Sequence, residues 1–229
     1  VRLGYWLPNF RLAEKAPDGT AAPIKNKSIG SPYLLAEMGG RIQENMNHLN
    51  LSDGGHIENL GVYELLRRKC KYIISIDGGA NRDVVGGDLQ LLERYASIDF
   101  GLRMEYDIAQ LQPFGEGMCK TAAIIVKITY SDGSLGWMIY LRPSITGNEP
   151  LYILDHWKLS PPFPYDSLLL QAFAEEHFEG YRCVGESSMK SLFRPELGTD
   201  KPDLKVADWF KRLATNLLPD NDPAFKKAS

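Results

Sequence analysis

Two carboxylates in this chain each close a short apolar run and are each followed by two glycines. Asp53 stands in Leu51-Ser52-Asp53-Gly54-Gly55, and Asp77 in Ile76-Asp77-Gly78-Gly79. An aspartate at the C-terminal end of a strand, beside backbone that glycine leaves sterically open, is a common way to present an acid or base at the rim of an α/β sheet. A hydroxyl nucleophile is weak at neutral pH and needs a proton acceptor within hydrogen-bond reach, which a carboxylate can supply where the surroundings raise its basicity. The plainer alternative for Asp53 is a turn-closing or helix-capping aspartate, and for Asp77 a structural residue or one at the edge of the site.

Asn59 follows Asp53 by six residues and fits either of two roles: holding the Asp53 loop or N-capping the next helix. His56 and Glu58 complete a crowded polar turn. Asp53, His56 and Glu58 at such close spacing do not match a zinc-site pattern, and the expectation is no metal.

These side chains need elements to hold them. His48 to Ser52 reads as a short strand ahead of Asp53. Glu58 to Lys71 reads as a helix, with Leu60, Tyr63, Leu66 and Cys70 at helical spacing and Arg67, Arg68 and Lys69 near its C-terminus. Tyr72 to Ile76 is a β-branched run ahead of Asp77, hence a buried strand. Strand, helix and strand within about 30 residues predict a βαβ unit with parallel pairing. The Asn-bearing helix after Asp53 favours Asp53 as the reactive group and leaves Asp77 as a secondary candidate.

Further on, Asp88 to Phe100 is a helix and Leu102 to Tyr106 a strand. Ala122 to Tyr130 and Leu135 to Leu141 flank Ser131-Asp132-Gly133-Ser134, a hairpin signal. Residues 142–164 are Pro-rich and irregular. Asp166 to Tyr181 and Leu204 to Leu218 read as helices, and Pro32 to Met38 as a short one. The expected fold is α/β, with a mixed, partly parallel sheet and flanking helices. The expected organisation of residues 1–229 is one domain or part of one. It comprises a largely irregular lead-in (1–48), an α/β core carrying the Asp-Gly-Gly motif (49–141), and a Pro-rich segment with C-terminal helices (142–229).

Composition narrows the classes. The chain has 229 residues, 44% hydrophobic and 24% charged, with a formal net charge of −3. That suits a soluble globular protein and offers no electrostatic argument for nucleic acid or an anionic membrane. The three cysteines, Cys70, Cys119 and Cys183, show no metal or redox spacing and read as free thiols of a reducing compartment. No apolar run is long enough to cross a bilayer, and no secretory signal is visible.

The stretch Leu51 to Cys70, followed by the strand at Tyr72, resembles the aspartate-bearing motif of the patatin-like phospholipases. The Leu141 to Gly147 segment and the Asp166 to Tyr181 helix are similar to the C-terminal extension of large members of that family. The resemblance implies a Ser–Asp dyad in a lipid acyl hydrolase without metal or organic cofactor. In it Asp53 is the acid/base, Gly54, Gly55 and Asn59 support it, and His56 has no part. The dyad serine belongs on a Gly-x-Ser-x-Gly elbow, and no serine of this chain has those neighbours: two positions before Ser134 stands Asp132, two after Ser187 stands Met189, and two before Ser31 stands Ile29. The chain opens at Val1, and the resemblance implies the C-terminal part of a longer protein with the serine upstream. It further implies a lipid or acyl-ester substrate, a parent able to associate with membranes, and association with the missing N-terminal part or self-association through exposed apolar surface. The alternative is a non-catalytic interaction or scaffold module.

Overall fold

The computed structural model describes residues 4–9, 11, 31–80, 85–167, 169–170, 172–197 and 205–217. The chain divides into two compact units, Val1–Ile57 and Glu58–Ser229.

The first unit is a two-stranded antiparallel ribbon with one helix. Strand β1 (Gly4–Pro8) pairs with β2 (His48–Ser52) from Gly4 opposite Ser52 to Pro8 opposite His48, and α1 spans Ser31–Met38. Proline lacks a backbone N–H, and Pro8 lies on an edge strand, since each strand of a two-stranded ribbon has one unpaired side. The buried Asn9 carboxamide donates to the carbonyls of Glu44 (2.8 Å) and Met46 (2.9 Å), closing the base of the ribbon. Trp6 meets the edge of Tyr33, whose hydroxyl lies 3.2 Å from His48 Nδ1.

The second unit is layered α/β/α. Helix α2 is Tyr63–Arg67, β3 Tyr72–Ile76, α3 Gly87–Phe100, β4 Arg103–Glu105, β5 Ala123–Thr129 and β6 Leu135–Leu141. The sheet order is β3-β6-β5-β4, with β3 parallel to β6 and the other pairs antiparallel. β5 and β6 form the expected hairpin. Gly133 takes the left-handed conformation there (φ 82°), and Asp132 accepts bonds from Ser134 N (3.0 Å) and Ser134 Oγ (2.7 Å).

Side-chain alternation along the strands divides the core in two. Ile73, Ile124, Val126, Ile128, Met138 and Tyr140 pack with Leu66 of α2 and with Leu89, Leu92 and Ala96 of α3. On the opposite face Ala123, Ile125, Ile139 and Leu141 pack with Leu192, Phe210 and Leu213. These last come from α5 (Glu175–Leu197) and α6 (Val206–Leu217), which follow α4 (Leu151–Leu159). A third cluster around Ile145, Ile153, Phe163, Cys183 and Val184 ties α4 to α5.

The mixed α/β sheet with flanking helices is as expected, but the βαβ unit is not. β2 and β3 belong to different sheets, and the parallel neighbour of β3 is β6. Periodicity marks where strands exist and is silent on which ones pair. β6 is apolar on both faces and fills the position beside β3.

Helix α2 covers five of the fourteen residues expected. Gly61 turns left-handed (φ 67°) ahead of it, and Lys69 does the same (φ 54°) behind it. Residues 142–164, expected to be irregular, contain α4. The helix expected over Asp166–Tyr181 begins only at Glu175 and runs on to Leu197. Leu204 and Leu218 lie outside the described residues.

Candidate functional site: two Asp-Gly-Gly turns

Both triplets fold into the same local turn. In each, the aspartate Oδ1 accepts the backbone N–H two residues on: Gly55 N at 2.9 Å from Asp53, and Gly79 N at 2.8 Å from Asp77. This is the side-chain-to-backbone turn that Asp favours before glycine. The surroundings differ.

Asp53 lies in the first unit, at the end of β2, and is exposed. It has extended backbone (φ −61°, ψ 132°) and caps a 3-10 turn over Gly54–His56. Neither Gly54 nor Gly55 has a positive φ, and a Cβ at Gly54 would meet nothing within 4 Å. At Gly54 the expected demand for glycine is therefore not steric. Among the described residues the Asp53 Oδ2 has no hydrogen-bond partner. His56 Nδ1 lies 3.0 Å from Ser52 Oγ and 3.0 Å from the Asp53 carbonyl oxygen, so the imidazole faces the backbone rather than the carboxylate.

Asp77 lies in the second unit, at the C-terminal end of β3, and is only 5% exposed. Its N–H continues the sheet ladder to the Leu141 carbonyl (2.8 Å), and its Oδ2 accepts the Tyr140 hydroxyl. Burial, and then the adjacent Asp77 carboxylate, push the Tyr140 phenol well above its ordinary pKa, so it stays a donor. Here the glycine requirement is steric: a Cβ at Gly79 would sit 2.9 Å from Asp77 Oδ1 and 3.3 Å from Asp88 Oδ2. The Arg142 guanidinium, also buried, stacks 4.7 Å from the Tyr165 ring centre.

Asn59 does not cap the helix. Its Nδ2 donates to Asp88 Oδ1 (3.3 Å) in the first turn of α3. The group serving the N-terminus of α2 is Glu58, 8% exposed, whose carboxylate accepts from Leu60 N (2.7 Å) and Tyr63 N (3.1 Å). Tyr140, Glu58 and Asp88 were not anticipated as partners. One signal for Tyr140 was available, since a tyrosine on a buried strand needs a hydroxyl partner.

Other charged, aromatic and thiol groups lie away from the two turns. Arg67 and Arg68 pair with Glu64 (2.7 and 3.9 Å), and Lys69 pairs with Asp132 (2.5 Å), all on the surface. Phe163 is buried, and Trp157 packs against the same cluster. Cys70, Cys119 and Cys183 are free thiols. Among the described residues no group of three His, Cys, Asp or Glu side chains could hold a metal ion, and no helix is long and apolar enough to cross a membrane.

Comparison with protein-family models, curated proteins and solved structures found no match. Fold and site define a mixed α/β protein that carries one exposed and one buried Asp-Gly-Gly turn.

Proposed function

We propose that this chain is the aspartate-bearing part of a patatin-like lipid acyl hydrolase, with Asp53 as the acid/base of a Ser–Asp dyad. The supporting observation is the contrast between the two turns. Both Asp77 oxygens are occupied inside the protein, whereas the Asp53 Oδ2 is open to an incoming hydroxyl. The nucleophile would be a serine outside these 229 residues. Its hydroxyl proton passes to Asp53 as its oxygen attacks the ester carbonyl, and the proton then goes to the departing alkoxide. Asp53 next takes a proton from the water that attacks the acyl-serine carbonyl, and returns it to the serine oxygen as the carboxylic acid departs. Gly54 and Gly55 shape the turn that holds the carboxylate, and Asn59 braces α3 through Asp88.

The absence of an elbow serine from the sequence favours a second reading, a patatin-like interaction or scaffold module. One assay separates the two: hydrolysis of a lipid-like acyl ester by the longest natural form of the protein, wild type against Asp53→Asn. Asparagine keeps the bond to Gly55 N but cannot take a proton. A loss of about 100- to 10,000-fold supports the dyad. A folded but inactive wild type supports the module.

A further inference from the structure

We propose that a cavity of about 150 Å³ in the second unit binds a short-chain monocarboxylate. It lies between the start of β5, the loop after β6, and helices α5 and α6. Its floor is apolar, formed by the buried Leu192 and Leu213 beside Ala122 and Ala123. Its mouth carries the exposed Lys120, Asn148 and Ser191.

Three lining side chains, Lys120, Asn148 and Ser191, keep donors that the protein does not fully use. Thr146 Oγ1 gives its proton to Glu149 (2.9 Å) and Ser188 Oγ gives its proton to the Val184 carbonyl (2.8 Å). Among the described residues, the Lys120 ammonium and the Ser191 hydroxyl have no partner, and Asn148 Nδ2 makes only a long bond of 3.4 Å to Thr146 Oγ1. No carboxylate lines the cavity. The nearby Glu149 is buried and occupied by Thr146 N, Thr146 Oγ1 and Gly147 N.

One free cation with an amide and a hydroxyl matches a single carboxylate. Phosphate would press its remaining charged oxygens against Leu192 and Leu213, where nothing hydrogen-bonds them. The volume equals about five water molecules, enough for a chain of roughly three to five carbons. A whole lipid acyl chain needs a larger pocket, of about 300 Å³ or more. The site is independent of the Asp53 chemistry.

The test is titration of the whole chain with butyrate, followed by the backbone amide resonances of Ala123 and Leu192. The expected result is saturable binding that is weaker for acetate and for inorganic phosphate at equal ionic strength. Lys120→Met should weaken it about tenfold or more, Ser191→Trp should block it, and Asp53→Asn should leave it unchanged. Absence of saturation, equal binding of phosphate, or full affinity in Lys120→Met overturns the assignment. Both mouth positions are exposed, and circular dichroism checks their folding; should Ser191→Trp misfold, Lys120→Met still decides. Loss of the esterase reading would leave butyrate binding intact, so the two failures are distinguishable.

Discussion

Tyr140 on β6 donates its hydroxyl to the Asp77 carboxylate at the end of β3, one strand away, with both residues inside the protein. The register puts Tyr140 opposite Ser75, two residues before Asp77. The bond therefore joins the end of one strand diagonally to its parallel neighbour, and it removes Asp77 from the groups free to accept a substrate proton.

Tyr140→Phe should destabilise the fold by about 1–3 kcal/mol, because it leaves a buried carboxylate oxygen without its donor. Urea denaturation measures this, and in the double-mutant cycle with Asp77→Asn the two losses should be less than additive. Additive losses would mean that the bond carries little of the stability.

Tyr130 governs a response to alkali. Its hydroxyl donates to the Cys70 carbonyl (2.6 Å), and burial, with smaller contributions from Cys70 and Asp132, pushes its pKa up to about 12. A folded-state pKa above the ordinary value of about 10 stabilises the fold fully below pH ~10, and that contribution is lost as pH rises toward 12. Between pH 9 and 11.5 the urea midpoint of the wild type should fall more steeply than that of Tyr130→Phe. Parallel profiles would contradict this.

Gly136, on β6, admits no methyl group. A Cβ there would lie 2.9 Å from Tyr130 Cε2 and 3.2 Å from the Cys70 carbonyl oxygen. Gly136→Ala should cost about 1–3 kcal/mol through displacement of the Tyr130 ring. Gly54→Ala, which meets nothing, should cost less on steric grounds. Thermal melts of the two variants compare them directly.

The thiols should react in order of burial. Cys119 is buried, donates to the Leu111 carbonyl (3.2 Å), and has its pKa pushed up chiefly by burial. Alkylation at pH 8 should mark the half-buried Cys70 first and reach Cys119 and Cys183 only on unfolding. Mass spectrometry of the labelled peptides reads the order, and early labelling of Cys119 would be the contrary result.

Much of the fold is legible in local pattern. The strands His48–Ser52, Tyr72–Ile76 and Leu135–Leu141 and the hairpin at Asp132-Gly133 follow from alternation, β-branched runs and turn chemistry, all short-range effects. The helix over Gly87–Phe100 follows from its apolar stripe in the same way. The limits of α2 were hidden because the left-handed turn at Lys69 is unusual for a residue with a Cβ. Helix α4 was masked by the prolines on either side of it.

The sequence by itself determined that two carboxylates each meet a pair of glycines, and the same Asx turn forms at both, since that bond spans only two residues. Tertiary structure alone decided that the turns are chemically unlike. Strand pairing brought Tyr140 and the interior to Asp77, and Asp53 was left on a two-stranded ribbon open to solvent. Burial and partner choice depend on residues far apart in the chain, here 63 positions, and no local spacing encodes them.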